Sequence, residues 1–143
     1  MVSCIYNKKI ITVYGNGKNI KFHENGNKVY EEDYVNGYRE GIVFYYYEDG
    51  SPRHSGYFKN GKQDGRFIDY YRNSDWTFKG EGNWKNGERH GRRVEYYKNS
   101  KLKEEIYHEN GVNIGEWSFY NKDGSLRKKE FYENGFLVKT EEY

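Results

Sequence analysis

The chain has 143 residues, of which 34% are hydrophobic and 20% aromatic, and a mean hydropathy of −1.24. Such polarity is typical of disordered chains, but 17 Tyr, 8 Phe and 3 Trp can each bury about 150–250 Å² and hold a small fold together. A net charge of +2 argues against a dedicated nucleic-acid binder, no apolar run approaches the roughly 20 residues of a membrane span, and the lone Cys4 excludes an internal disulfide framework.

Residues 1–16 precede the regular part of the sequence and contain two strand-like pieces, Val2–Tyr6 and Ile10–Tyr14. Repeat arrays need atypical ends, so we expect these pieces to form capping strands. The first six residues lack the apolar region of a secretory signal, which favours a cytoplasmic protein. Gly15-Asn16-Gly17 is interpreted as a turn, because no Lys-Ser/Thr pair of a phosphate-binding loop follows it.

A repeat of 24 to 26 residues organises the rest of the chain. Each unit has an aromatic residue five positions after its lead glycine, an Asn/Asp-Gly/Ser pair at positions eight and nine, and a closing Asn-Gly pair. The lead glycines are Gly17, Gly41, Gly65, Gly91 and Gly115. Two residues before the closing Asn stand Tyr34, Phe58, Trp84, His108 and Tyr132.

Each unit is predicted to be a β-hairpin, because Asn-Gly and Asp-Gly supply the positive φ of two-residue turns and the segments between them are short and rich in Tyr, Phe and Val. The expected fold is all-β: an elongated single-domain solenoid of about five hairpins in a twisted antiparallel sheet. The two extra residues of the third unit predict a longer loop or a bulge within NSDWTFKGEGN. The boundaries are 1–16 for the cap, 17–40, 41–64, 65–90, 91–114 and 115–138 for the units, and 139–143 for a closing strand.

Four junctions between units read Asn-Gly-x-x-x-Gly: NGYREG, NGKQDG, NGERHG and NGVNIG. With the turn glycines and the recurring aromatic residue, this pattern resembles the MORN repeat, most closely its bacterial variant form. The resemblance implies a hairpin solenoid that serves as a binding platform. Many small bacterial relatives are assigned as antitoxins or immunity-like proteins, and eukaryotic relatives have been linked to lipid headgroups and protein scaffolding. The shared residues are structural ones, so the resemblance implies no catalytic residue and no particular partner.

Strand alternation places positions 3 and 5 of each unit on one sheet face and positions 2, 4 and 6 on the other. Positions 3 and 5 stay mostly apolar or aromatic, so we predict that they form the core. The other face mixes rings with both charge signs, as protein-recognition surfaces do. We predict partner binding there by Tyr45, Tyr47, Asp69, Tyr71, Arg93, Glu95, Tyr97, Trp117 and Phe119. The alternative is that these rings only shield a thin sheet.

The sequence predicts no catalytic residue, metal site or cofactor. Its four histidines, including His90 in a variable junction, occupy unrelated positions of the repeat. Adjacent carboxylates such as Glu104-Glu105 point to opposite faces of a strand, so they are poor acid/base pairs. We therefore expect a non-enzymatic protein.

The favoured function is binding of one protein partner, which the chain would occlude; the family resemblance suggests a toxin or an effector as that partner. One alternative is single-stranded nucleic acid, stacked on Tyr and Phe beside Arg66, Arg92, Arg93 and Lys98, which the near-neutral charge disfavours. Lipid headgroups are a second alternative, disfavoured by the lack of a polybasic run. Unpaired end strands would permit a dimer, and the many Lys, Asn, Tyr and Ile residues suggest an AT-rich bacterial or phage genome.

Overall fold

The computed structural model describes residues 2–4, 10–13, 15–72 and 76–143 and contains one antiparallel sheet of sixteen strands. No helix occurs in these ranges, and therefore none that could cross a membrane. The predicted all-β hairpin solenoid is confirmed. The predicted turn pair at Asn73-Ser74 lies outside the described residues.

The sheet follows the order of the chain, because each long strand pairs with the one before it and the one after it. Five hairpins form its body: β3 (Gly17–Phe22) with β4 (Lys28–Val35), β6 (Gly41–Tyr46) with β7 (Pro52–Lys59), β8 (Lys62–Tyr70) with β9 (Phe78–Lys85), β11 (Gly91–Tyr96) with β12 (Leu102–Glu109), and β14 (Gly115–Tyr120) with β15 (Leu126–Glu133). At the ends lie β1 (Val2–Cys4), β2 (Ile10–Val13) and β16 (Phe136–Glu142), and beside the path lie β5 (Tyr38–Arg39), β10 (Glu88–Arg89) and β13 (Val112–Asn113).

The closing Asn-Gly pairs form the turns that join one hairpin to the next. Both residues have positive φ, as in Asn60 (49°) and Gly61 (77°), which is the conformation of a type I′ hairpin turn. The Gly61 N–H also donates to the Arg39 carbonyl 2.9 Å away in the preceding turn region. Each equivalent glycine makes the same bond, so the turns stack along one edge of the sheet.

A chain of tyrosine hydrogen bonds connects consecutive hairpins near the opposite edge. The Tyr71 hydroxyl donates to the Tyr96 carbonyl at 2.7 Å, and the Tyr97 hydroxyl donates to the Tyr120 carbonyl at 2.8 Å. The Tyr47 hydroxyl makes the equivalent contact to the Tyr70 carbonyl at 3.4 Å. These bonds fix each hairpin against the next one.

The extra length of the third unit lies in the loop between β8 and β9. In the second unit the Tyr47 N–H donates to the Ser51 carbonyl, whereas here the Tyr71 N–H donates to the Thr77 carbonyl. The closing bond therefore spans two more residues, as the sequence predicts.

Burial does not follow the predicted division into a core face and a free face. Val43, Phe58 and Ile106 are buried on the side of positions 2, 4 and 6, and Val94 is buried on the other. The other residues at positions 3 and 5 are half-buried, apart from the buried Ser118. The prediction that positions 3 and 5 form the core is therefore wrong in assigning the core to one face alone. In the described ranges one sheet has no helical layer packed on it, so burial comes from cross-strand neighbours on both faces.

The face of positions 3 and 5 carries a ladder of ion pairs. In three units a basic residue at position 1 pairs with a carboxylate on the return strand, whereas in the fifth unit the signs are exchanged. Because most of these charges are partly exposed, each pair stabilises the sheet by about 1 kcal/mol or less. The pairs are Lys18–Glu31, Arg66–Glu81, Arg92–Glu105 and, exchanged, Glu116–Lys129.

Candidate binding groove

Positions 2, 4 and 6 point to one side of the sheet, which we call the groove face. Cross-strand partners on this face form rows that run from hairpin to hairpin. The middle of the face contains an open groove of about 640 Å³. The row through position 2 crosses the groove in the order Val43, Gly56, Phe67, Gly82 and Arg93.

One glycine beside Phe67 creates the space in which its ring lies, and a second glycine is covered by the Arg93 side chain. Gly56 and Gly82 are the cross-strand partners of Phe67 on either side. A Cβ atom added at Gly56 would lie 2.2 Å from the Phe67 ring, so this ring covers the Gly56 backbone. Any side chain at position 56 would displace the ring, which is why this strand needs a glycine there although its φ is ordinary.

Phe67 joins two further rings in the floor of the groove. Its ring centroid lies 5.7 Å from that of Phe58 and 5.9 Å from that of Trp84, both in edge-to-face geometry. Phe58 and Trp84 are the rings that precede the closing Asn-Gly pairs of the second and third units. Edge-to-face packing of this kind adds about 0.5–1.5 kcal/mol per pair beyond the buried area, so the floor is a fixed aromatic surface.

Beyond Arg93 the same row contains no glycine. Ile106 is buried there, and the Trp117 ring lies 4.3 Å from the Tyr132 ring and 5.3 Å from the His108 ring. Large side chains therefore fill the face in the fourth and fifth units, and the groove is confined to the middle of the sheet.

Four basic residues line the groove, and two of them have carboxylate partners. Arg39 lies 3.2 Å from the buried Glu32 carboxylate, and Arg93 is paired with Glu95 at 3.1 Å and with Glu104. These two guanidinium charges are thus balanced within the protein. Arg39 and Arg93 therefore stabilise the walls of the groove, and neither charge is free to pair with a ligand.

Lys62 and Arg89 are the other two basic residues of the groove. Both are exposed, and within the described part of the chain no carboxylate lies within 4.0 Å of either. The Arg89 guanidinium stands 5.6 Å from the centre of the Trp84 ring, close enough for a cation–π contact. The turn before Arg89 stacks beside Lys62 through the bond from the Gly87 N–H to the Gln63 carbonyl, 2.8 Å long. Two unneutralised positive charges therefore flank one end of the aromatic floor.

The other end of the groove carries Asp69 with His54 and Tyr45 beside it. Tyr45 and His54 are cross-strand partners with ring centroids 4.3 Å apart, and His54 is in turn the partner of Asp69. Burial lowers the pKa of His54, so this imidazole is neutral near pH 7. Burial and the hydrogen bond to Glu32 raise the pKa of Tyr45 to about 12. Asp69 is thus the charged group at this end.

The structure brings three of the nine predicted partner-binding residues into the groove: Tyr45, Asp69 and Arg93. Tyr47, Tyr71 and Tyr97 lie on the same face, but their hydroxyls donate to backbone carbonyls of the following hairpin. Partner binding by these tyrosines stays a prediction. Each of them also has a structural contact, because its hydroxyl joins two hairpins.

The remaining three predicted residues lie beyond the groove. Glu95 is buried and accepts hydrogen bonds from Lys103 at 2.7 Å and Arg93 at 3.1 Å. The Trp117 indole N–H donates to the Tyr107 carbonyl at 3.0 Å. Phe119 lies under the Lys128 ammonium, 4.7 Å from the ring centre. Their role in partner binding likewise stays a prediction.

Sequence reasoning missed several groove residues: Phe58, Phe67, Trp84, Lys62 and Arg89. A signal for the rings was present, since an aromatic residue recurs two places before each closing Asn-Gly. Placing these rings on the groove face requires the register of each hairpin, which a bulge between positions 4 and 5 shifts by one residue. Nothing in the sequence distinguishes the unpaired charge of Lys62 from the paired charge of Arg39.

Comparison with protein families gives four matches to the MORN repeat variant, at residues 15–36, 39–60, 89–110 and 114–134. They cover more than half of the chain. The unmatched stretch 61–88 contains Lys62, Phe67 and Trp84. No curated protein matches the chain significantly. Repeats of this family are generally associated with binding, of proteins or of membrane lipids. The centre of the groove thus lies in a stretch between the matched repeats.

Proposed function

Because the chain belongs to the MORN repeat variant family, whose repeats are associated with binding, we propose that it is a non-enzymatic module that binds a protein partner in its groove. The observation that carries the proposal is the aromatic floor of Phe58, Phe67 and Trp84 with unneutralised Lys62 and Arg89 at one end. Rings and basic side chains in a concave, partly desolvated site are the residues that anchor protein interfaces.

Occlusion is the mode of action that we propose for this module. The groove lies across three adjacent hairpins whose hydrogen-bonded turns and tyrosines keep it preformed, so little conformational entropy is lost when a partner binds. A preformed surface of this kind suits an inhibitor that covers a functional segment of its partner. By analogy with small bacterial members of the family, we propose that the partner is a toxin or another effector, met in the cytoplasm.

A capture experiment with paired variants tests the proposal. The purified protein is immobilised and exposed to a lysate of cells that carry its gene, with and without nuclease treatment. We expect one protein to be retained stoichiometrically, with loss of capture for Trp84→Ala. Phe78→Ala is the matched control, because Phe78 lies on the same strand, packs on Tyr96 and faces the other side of the sheet.

Each result of this experiment has a defined meaning. Capture that Trp84→Ala and Phe78→Ala weaken equally would contradict a role for the groove, provided that both variants keep the wild-type circular dichroism spectrum and melting temperature. Capture that disappears on nuclease treatment would favour the second candidate, single-stranded nucleic acid stacked on the groove rings. The contact of Arg89 with Trp84 is the observation that favours that candidate, since such rings and cations also bind stacked bases.

A further inference from the structure

The distribution of charge along the groove restricts the chemistry of the partner segment. Lys62 begins β8 and Asp69 lies seven residues further along the same strand, a separation of about 23 Å in extended chain. The groove therefore has a positive end, formed by Lys62 and Arg89, and a negative end, formed by Asp69, with three rings between them.

We propose that the groove binds an extended acidic peptide segment of the partner, with side-chain carboxylates at Lys62 and Arg89 and an aromatic or large apolar side chain on the ring floor. This inference rests on the proposed function and narrows it to one class of ligand. Carboxylates are the complement of two basic side chains that have no partner of their own, and Arg89 is held over Trp84 in a position from which it can pair with one.

The floor of the groove offers ring surface to an inserted side chain. Gly56 is covered by the Phe67 ring and Gly82 by the aliphatic stem of Arg93, so the ring and the stem form the floor at these positions. Phe67 and Trp84 are half-buried rather than buried, which leaves part of each ring free to cover a ligand side chain. A ring inserted there would meet aromatic edges and faces on two sides.

An acidic peptide fits this charge pattern better than a nucleic acid does. A nucleic-acid strand carries a phosphate at every nucleotide and so needs a continuous basic track. Here the row through position 4 contains Asp69, Gly80, Glu95 and Glu104 in that order, and the unneutralised cations stand at one end of the groove only. A peptide carries negative charge only where its sequence places it.

Defined peptides test the inference directly. Three dye-labelled peptides of about ten residues, long enough to span β8, differ only in composition: one with Glu residues at one end and a central Phe, one with Ser in place of the Phe, and one with Lys in place of every Glu. Fluorescence anisotropy measures their binding to the intact protein. We expect the first peptide to bind at least about tenfold more tightly than either of the others.

Paired variants assign that binding to the groove. Lys62→Ala/Arg89→Ala should weaken the acidic peptide about tenfold. Lys85→Ala/Lys122→Ala should leave its affinity unchanged, because both lysines are exposed and outside the groove. Neither pair removes a buried side chain, so all four positions can change without unfolding the sheet.

Several outcomes would overturn the inference. They are equal binding of the three peptides, no binding of any, equal effects of the two double variants, or tighter binding of oligothymidine or of phosphatidylserine-containing vesicles. Should the peptides fail while Trp84→Ala still abolishes stoichiometric capture of a protein, the proposed function would stand and only the acidic ligand class would be wrong. Loss of both results would remove the groove as a binding site.

Discussion

The hydrogen bond from Tyr71 to the next hairpin provides a quantitative test of how the repeats are joined. Tyr71→Phe removes the hydroxyl that donates to the Tyr96 carbonyl at 2.7 Å and keeps the ring. A typical intramolecular hydrogen bond contributes about 1 kcal/mol to the free energy of unfolding. For a chain of this length, 1 kcal/mol corresponds to a decrease of about 2–4 °C in melting temperature.

Tyr47→Phe is the internal control, because the same bond in the neighbouring unit is 3.4 Å long. Hydroxyl donors in good hydrogen bonds lie about 2.5–3.0 Å from their acceptors, so Tyr47→Phe should lower the melting temperature by less than about 1 °C. Scanning calorimetry and urea unfolding measure both variants. A loss for Tyr47→Phe equal to or larger than that for Tyr71→Phe would refute the assignment of these bonds as the links between hairpins.

Three further predictions concern the groove face and its buried polar groups. Gly56→Ala should destabilise the protein by about 1–3 kcal/mol, because the new Cβ would meet the Phe67 ring at 2.2 Å, and adding Phe67→Ala should recover part of that loss in urea unfolding. Glu32→Gln should cost about 2 kcal/mol, because it removes the buried carboxylate that balances Arg39; a loss within error of zero would contradict that role. Burial and two nearby arginine charges lower the pKa of His108 below its usual 6.5. The unfolded chain therefore binds a proton at this imidazole more readily than the folded protein does, and the free energy of unfolding should fall as the pH decreases through 6.5. The urea midpoint should therefore decrease between about pH 7.5 and about pH 5, and less so in His108→Gln.

The hairpins could be predicted from the sequence because their signals are local. Asn60-Gly61 and its equivalents fix a turn through their own backbone preferences, and the segments between such turns have no other regular structure to adopt. The register of lead glycines therefore predicted the strand order correctly.

The side on which burial occurs could not be predicted from one strand at a time. Val43 is buried because it lies between Glu32 and Gly56 in a cross-strand row, and the Phe67 ring covers Gly56. Phe67 is held in a groove because its two partners are glycines 11 and 15 residues away in sequence. Alternation assigns residues to faces, but only the pairing of neighbouring strands shows which residues are covered.

The exchanged ion pair of the fifth unit helps to distinguish correct from incorrect neighbours in a chain of similar hairpins. If β11 skipped its own return strand and paired with β15 in the same register, Arg92 would face Lys129. That misassembled arrangement brings two positive charges together, whereas in the native order Arg92 pairs with Glu105 and Lys129 pairs with Glu116. Repetitive sequences are prone to such unit-skipping errors during folding. The reversed charges of the fifth unit disfavour this incorrect strand pairing.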